Sequence, residues 1–357
     1  ANGPWTTIDN ETNSLFYDDL VETTYYRAVV KSGVCNEVNS NQVVITVDEA
    51  TIAGSIVGVN EVCTQLNSGT LTLQGFRGSI LRWQSSADAI TWSDITNTTS
   101  SQLFSNLTSS TYYRVEVQNG VCVAAFTSFF LVTVNPLPVV SFTSTTECLG
   151  ESTTFNNTST IASGTNDILA LNFADGQSAT IDDPVNTYAD AGSYAVKLIV
   201  TSSEGCKDSI SNQVTVNPLP VASFSQTNVC DQQAMSFTDL STISSGSIAT
   251  YAWTFGDGGS SSVQNPSRTY GSSATYDVNL TVTSDQGCTD ETSKNVEVYP
   301  LATVSFDAEN VCDGKDVIFS NNSAVSTGNL TYNWNFGDSN TSTNINPSHL
   351  YDTNGDY

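Results

Sequence analysis

Apolar and polar residues alternate with a period of two in several stretches of the chain. In the clearest stretch, 276–283, Tyr276, Val278, Leu280 and Val282 fall on one side and polar residues on the other. Alternation of this kind is typical of half-buried β-strands. The same pattern occurs at 111–117 and 194–200. We therefore predict an all-β chain.

A second pattern combines two aromatic residues with a turn. Trp253 and Phe255 are two positions apart, so both rings lie on one face of a strand, and the Gly-Asp-Gly that follows is a turn signal. A copy of the motif begins at Trp334, and a weaker copy begins at Leu171. The copies are 81–82 residues apart, which indicates a repeat protein.

The repeats divide the chain into five predicted modules, of which the first has only its C-terminal part and the last only its N-terminal part. Asn-Pro-Leu-Pro occurs at 135–138 and again at 217–220, at the junctions of complete modules. Two prolines in four residues favour an extended, stiff junction, so we predict a semi-rigid linear array. The modules are module 1 (1–48), module 2 (49–135), module 3 (136–217), module 4 (218–299) and module 5 (300–357).

The eight cysteines follow the same period. Pairing neighbours within a module gives separations of 58 or 59 residues, which predicts one disulfide per module and an oxidising compartment. Cys35 and Cys312 then have no partner in the chain, and we expect the parent protein to continue in both directions. The predicted bridges are Cys63–Cys122, Cys148–Cys206 and Cys230–Cys288.

The composition limits the partners. With 36 acidic and 10 basic residues, the formal charge is −26, so nucleic acid and anionic lipid should be repelled. No run of 18 apolar residues occurs, so we predict no membrane insertion. We expect a secreted, extracellular chain.

Module 2 carries a set of runs that identify a resemblance. Trp83 stands in a Trp-Gln-Ser-Ser run, Trp92 in a Trp-Ser-Asp-Ile run, and Tyr113 in a Thr-Tyr-Tyr-Arg run. Together they resemble the immunoglobulin-like repeats of large secreted Bacteroidota proteins. The resemblance implies a β-sandwich with a core tryptophan.

Modules 3 to 5 share a second plan, in which Trp-x-Phe-Gly-Asp is followed by Asn-Pro-x-x-x-Tyr and then by Tyr-x-Val-x-Leu-x-Val. This order resembles the PKD (polycystic kidney disease) domain over 136–357, about 60% of the chain. The resemblance implies a sandwich related to the immunoglobulin fold. Module 3 departs from it, because Leu171 replaces the Trp, Ala174 replaces the Gly, and Asp182-Asp183-Pro184 replaces the Asn-Pro step.

We predict no enzymatic activity and no cofactor. The only histidine, His349, falls in Asn-Pro-Ser-His-Leu-Tyr, where a structural role is expected, and no hydrolase or nucleotide-binding motif is present. Asp257 and Asp338 are calcium candidates because they lie in turns and offer oxygen ligands. The alternative is that each Asp caps its own turn.

The tryptophans recur at strand positions. We therefore expect a core position for all five rather than exposed rings that bind sugars. They are Trp5, Trp83, Trp92, Trp253 and Trp334.

These features predict a structural stalk or filament segment of a very long surface adhesin for attachment, gliding or cell–cell contact. The resemblance points to the SprB-like class exported by type IX secretion. The expected partners are neighbouring modules, other copies in a filament, and surface glycans or proteins reached by a tip outside this chain. The alternatives are a non-catalytic spacer of a secreted hydrolase and a module that binds calcium or glycan.

Overall fold

The computed structural model describes residues 4–357. In this part of the chain the regular structure consists of 34 β-strands and contains no α-helix. The prediction of an all-β chain of tandem sandwich modules is confirmed. No helix in residues 4–357 is long and apolar enough to cross a membrane.

Module 1 contains only short strands. Two antiparallel pairs, β1 with β4 and β2 with β3, make up its regular structure. The strands are β1 (Thr24–Tyr26), β2 (Val29–Val30), β3 (Val38–Asn39) and β4 (Val43–Ile45).

Module 2 is a sandwich of two sheets around Trp83, which is fully buried. One sheet has the order β10-β7-β5, and the other has the order β6-β13-β11-β8-β9, with β12 also paired to β11. The strands are β5 (Ser55–Gly58), β6 (Glu61–Cys63), β7 (Ser68–Gln74), β8 (Ser79–Ser86), β9 (Ser93–Ile95), β10 (Ser101–Ser105), β11 (Thr111–Gln118), β12 (Ala125–Phe126) and β13 (Phe130–Asn135).

Module 3 has a three-stranded sheet, β14-β16-β19, and a five-stranded sheet, β15-β21-β20-β17-β18. Its core contains Phe142, Phe155, Leu171 and Phe173. The strands are β14 (Phe142–Ser144), β15 (Glu147–Cys148), β16 (Ser152–Asn157), β17 (Asn166–Asn172), β18 (Ser178–Ala179), β19 (Val185–Thr187), β20 (Gly192–Ser202) and β21 (Lys207–Asn217).

Module 4 repeats this topology strand for strand, with sheets β22-β24-β27 and β23-β29-β28-β25-β26. Its strands are β22 (Phe224–Gln226), β23 (Val229–Cys230), β24 (Ala234–Asp239), β25 (Ile248–Thr254), β26 (Ser260–Ser261), β27 (Ser267–Thr269), β28 (Thr275–Ser284) and β29 (Thr289–Tyr299).

The alternation in β28 decides which side chains form the core of module 4. Val278, Leu280 and Val282 are fully buried and pack with Trp253 and Phe255 from the aromatic motif. Full burial of side chains of this size stabilises the fold by roughly 1.5–3 kcal/mol each. The residues between them on β28 face the other side of the sheet, as a period of two requires.

Module 5 contains the opening strands and the motif turn. Its sheets are β30-β31-β34 and β32-β33. Phe306 is 53% exposed, whereas the equivalent Phe224 in module 4 is fully buried beneath the long strands. The strands are β30 (Phe306–Ala308), β31 (Val317–Asn321), β32 (Trp334–Asn335), β33 (Thr341–Ser342) and β34 (Ser348–His349).

Candidate functional site: the junctions between modules

Two disulfides connect neighbouring modules. Cys63 of module 2 is bonded to Cys206 of module 3, with 5.6 Å between their Cα atoms. Cys148 of module 3 is bonded to Cys288 of module 4, with 5.7 Å between their Cα atoms. Each bridge therefore joins the first cysteine of one module to the second cysteine of the next.

The predicted pairing within modules is wrong, and the sandwich geometry explains why. Cys148 ends β15 and is in register with Asn217, the last residue of β21, whereas Cys206 directly precedes the first residue of β21. A strand of 11 residues is about 36 Å long at about 3.3 Å per residue. Since a disulfide requires Cα atoms roughly 4.4–6.8 Å apart, Cys148 and Cys206 cannot bond to each other.

The same argument applies to the other two predicted pairs. Cys63 is in register with Asn135 at the end of module 2, and Cys230 is in register with Tyr299 at the end of module 4. Cys122 lies at the other end of module 2, where its Sγ is 3.5 Å from the carbonyl oxygen of Asp48. Among the cysteines of residues 4–357, those without a disulfide are Cys35, Cys122, Cys230 and Cys312.

A regular placement follows for the cysteines around each junction. Cys206 lies at the end of module 3 that faces module 2, with its Sγ 3.9 Å from the carbonyl oxygen of Asn135. Cys122 likewise lies at the end of module 2 that faces module 1, beside Asp48. The signal in the sequence that could have shown this is the proline that directly follows the last strand of each complete module. The cysteine in register with that strand's end faces the next module, because the chain crosses the junction there.

The linker between modules 2 and 3 is also held by hydrogen bonds. The backbone N–H of Thr64 donates to the carbonyl oxygen of Asn135 at 2.8 Å, and the N–H of Leu137 donates to Thr64 Oγ1 at 3.2 Å. Just past the next junction, the N–H of Ala222 donates to Asp290 Oδ2 at 2.8 Å, which fixes the start of module 4 to its own strand β29. A bridge and a hydrogen-bonded, proline-containing linker therefore connect modules 2 and 3, and a bridge and a proline-containing linker connect modules 3 and 4, which restricts hinge motion.

The candidate calcium ligand Asp257 is occupied by protein donors. Its Oδ1 accepts the N–H of Gly259 at 2.9 Å, and its Oδ2 accepts Nε and Nη2 of Arg268 at 2.8 and 2.7 Å. Desolvation raises the pKa of Asp257, but the hydrogen bonds from Gly259 and Arg268 outweigh it and hold the pKa below its usual value. The turn-capping alternative therefore describes this residue, and a calcium ion would have to displace Arg268.

Asp338 has the same position in module 5 and a different partner. Its Oδ1 accepts the N–H of Asn340 at 3.0 Å, and its Oδ2 lies 2.6 Å from His349 Nε2. The hydrogen bond from His349 is the largest cause that lowers the pKa of Asp338, to about 2. The His349 ring also stacks on Phe336, with 4.3 Å between centroids, so the structure gives this histidine a role in packing and turn stabilisation.

The turn of module 3 completes the series. Asp175 Oδ1 accepts the N–H of Gln177 at 2.9 Å, and its Oδ2 accepts Nδ2 of Asn186 at 2.8 Å. Each of the three aspartates therefore caps the equivalent turn of its own module. Each also accepts a hydrogen bond from the side chain 11 positions later, which is Asn, Arg or His. In residues 4–357, no group of three or more His, Cys, Asp or Glu side chains is arranged to hold a metal ion.

The tryptophans divide into two groups, so the expectation that all five lie in the core is only partly right. Trp83 and Trp253 are buried, and Trp334 is half-buried because module 5 exposes this face. Trp5 is exposed, and Trp92 is half-buried and not part of the core of module 2. Each carries an arginine over its ring, Arg27 at 4.2 Å and Arg114 at 4.1 Å from the ring centroid. A cation–π contact explains their recurrence as well as a core position would.

The solved structures similar to this chain include short domains and longer arrays. The PKD1 domain of Vibrio anguillarum Epp is 38% identical, with 23% of this chain and 95% of that chain covered and a TM-score of 0.22. The PKD1 domain of the Vibrio cholerae metalloprotease PrtV is 32% identical (22% and 96% covered, TM-score 0.21). Three N-terminal domains of the bacteriophage RB49 outer capsid protein Hoc are 14% identical (70% and 98% covered, TM-score 0.34).

Family profiles divide the chain at the change of plan between modules 2 and 3. A domain of unknown function (DUF8696) matches residues 1–49 and 52–136. The PKD domain matches residues 134–218, 216–299 and 297–357. These three matches cover more than half of the chain and coincide with the repeats of the Trp-x-Phe-Gly-Asp motif. The chain therefore belongs to the PKD domain family.

Proposed function

We propose that this chain is a stalk segment of a very long, secreted cell-surface adhesin, and that its modules supply length rather than chemistry. The observation that supports the proposal most directly is the pair of disulfides that connect consecutive modules. Disulfides persist in oxidising, extracellular compartments. Tandem PKD and immunoglobulin-like modules are structural modules, and here the cross-links favour a stiff array.

The dimensions and charge of the modules suit this role. The long strands β21 and β29 each have 11 residues, so a complete module adds about 36 Å of length at about 3.3 Å per residue. The net charge of −26 opposes collapse of the array on itself and on anionic surfaces. Stability in such an array is local, because each module has its own core and interacts mainly with its neighbours.

The finer assignment rests on the resemblance of the repeats to large Bacteroidota surface proteins. We place the parent protein in the SprB-like class, exported by type IX secretion and used in attachment, gliding or cell–cell contact. In this proposal the partners of the segment are neighbouring modules and other copies in a filament. A tip outside this chain binds surface glycans or proteins.

The test is immunogold labelling of intact cells with an antibody against module 4. Gold along fibres that stand off the cell envelope is the expected result. Label confined to the culture medium would contradict a stalk and would favour a spacer in a released hydrolase. Cells that lack the gene, labelled in parallel, provide the background.

A further inference from the structure

We propose that the two disulfides complete two interleaved covalent straps along the array, which carry tension past most of each sandwich; this inference rests on the stalk function proposed above. The straps limit how far modules 3 and 4 can extend under load.

The first strap crosses modules 3 and 4. It runs from Asn135 along the opening segment of module 3 to Cys148, through the bridge to Cys288, and along β29 to Tyr299. This route has 13 peptide steps before the bridge and 11 after it. The backbone between the same two ends has 164 steps. Tension on this route therefore bypasses most of the polypeptide of both modules.

The strap has little slack in the folded protein. Its section 135–148 begins beside Cys206 and ends in register with Asn217, so it spans the same length as β21. That length is about 36 Å, whereas 13 residues reach at most about 45 Å when fully extended. A small displacement of module 2 from module 4 would therefore draw the strap tight before the sandwich has to open.

The second strap is offset by one module. It follows the opening segment of module 2 to Cys63, crosses the bridge to Cys206, and continues along β21 to Asn217. From there the backbone leads to Cys230. Module 3 is thus crossed by both straps, by its opening segment in one and by its last strand in the other.

Both final strands are anchored along most of their length. β21 pairs with β20 over ten residue pairs, and β29 pairs with β28 over nine. Tension along either strand loads these ladder hydrogen bonds together, in shear, rather than one after another. The residues in 149–205 and 231–287 lie off both straps.

The bridges also set the length of the fully unfolded chain. From Cys63 to Cys288 the backbone has 225 steps. With both bridges intact, the shortest covalent path runs only through residues 148–206 and has 58 steps. The bridges therefore keep 167 steps out of the stretched path, which corresponds to roughly 570 Å of extension at about 3.4 Å per residue.

Single-molecule stretching of the whole chain by its two ends tests the proposal. In the oxidised wild type we expect modules 3 and 4 to open only at higher force than after reduction, and full extension to be about 570 Å shorter than after reduction. The variant C148S removes one bridge, which lengthens the covalent path from 58 to 82 steps, or by about 80 Å. The C288S variant should give the same trace.

The matched control is C230S, which removes the cysteine at the equivalent position of module 4, where no bridge forms in residues 4–357. We expect its trace to match that of the wild type. If the full extension of C230S were equal to or larger than that of C148S, the disulfide connectivity proposed for the straps would be wrong. If modules 3 and 4 opened at the same force in the oxidised and reduced wild type, the bridges would not carry tension, even if their connectivity were correct.

Reduction of the wild type keeps the test informative if C148S folds poorly, because the array can be folded first and reduced under low load. Failure of the stretching test leaves the immunogold result untouched, since a stalk without straps would still label as fibres. Failure of the immunogold test would remove the stalk but not the mechanical difference between oxidised and reduced chains.

Discussion

Modules 3 and 4 have the same strand order but different residues at the motif that defines their family. Leu171 occupies the position of Trp253, and both side chains are buried. The two cores keep the same arrangement of strands and aromatic neighbours, Phe155 with Phe173 and Phe237 with Phe255. The comparison teaches that the fold needs a large apolar side chain at this position, whereas the indole is an addition that module 4 carries and module 3 lacks.

The turn after the motif differs in a second way. Ala174 has a φ of 65°, in the left-handed region, and Gly256 has a φ of 77° at the same position. A Cβ on Gly256 would lie 2.7 Å from the carbonyl oxygen of Asp277. Module 3 thus accepts a side chain in a conformation that costs most residues roughly 1–2 kcal/mol, whereas the backbone of module 4 leaves no room for one.

The largest expected difference between the two modules concerns their cysteines. Both cysteines of module 3 are bridged, whereas module 4 has Cys288 bridged and Cys230 free. Alkylation of the unreduced chain followed by peptide mapping should modify Cys230 fully and Cys148 not at all. Pairing within modules would instead protect Cys230, and a Cys230–Cys288 peptide would show that Cys148 is not the partner of Cys288.

The next largest effect is expected from the W253A substitution. We expect it to lower the free energy of unfolding of module 4 by about 3–5 kcal/mol, because it leaves a cavity among Phe224, Phe237 and Phe255. Chemical denaturation monitored by fluorescence and circular dichroism measures it.

The W253F variant is the control for this prediction. The buried indole N–H of Trp253 has no hydrogen-bond partner among the described residues, so losing it costs nothing in hydrogen bonding. W253F should therefore be much less destabilising than W253A. Equal losses in both variants would mean that the indole, rather than the apolar volume, holds the core together.

A smaller effect should follow from exchanging the turn residues. G256A should destabilise module 4 by about 2 kcal/mol, since it adds a left-handed alanine and a contact with Asp277. A174G should stabilise module 3 by about 0.5–1 kcal/mol, because relief of the backbone exceeds the extra entropy of glycine in the unfolded chain. Thermal unfolding of both variants checks the signs, and a destabilised A174G would contradict the argument.

The smallest effect concerns the contact between Asp257 and Arg268. The R268N substitution would replace it with an Asp–Asn contact like that of Asp175 and Asn186 in module 3. Because Arg268 helps to lower the pKa of Asp257, the variant should raise that pKa, and a carbon-13 NMR titration of the carboxyl group measures the shift. A lowered carboxyl pKa adds stability above the unfolded value of 3.8 that is lost as the pH falls through the folded pKa. Since the pair is partly exposed, the loss should be at most about 1 kcal/mol.

The control for this titration lies in module 5. His349 holds the pKa of Asp338 at about 2, so H349N should raise it toward 3.8 while leaving Asp257 unchanged. A shift at Asp257 in H349N, or none at Asp338, would show that the contacts seen at these turns do not set the two pKa values.

The amino-acid sequence determined the class of fold, the repeats and most of the core. Alternation in stretches such as 276–283 is sufficient for this, because a period of two places every second residue on the buried face whatever the rest of the chain does. The role of the aspartates as turn caps was also predictable from the sequence, because an Asx turn is a local interaction over two or three residues. The position of Trp92 was not predictable in this way, because its partner Arg114 lies 22 residues further along the chain, on β11.

Only the tertiary structure decided the disulfides. Spacing along the chain is the same for Cys148–Cys206 and Cys230–Cys288, and it contains no information on which end of the sandwich each cysteine occupies. The 11-residue strand β21 separates Cys206 from the end where Cys148 lies, and the junction brings each cysteine to a different neighbour. A disulfide depends on a distance of a few ångströms in space, which packing sets and sequence separation does not.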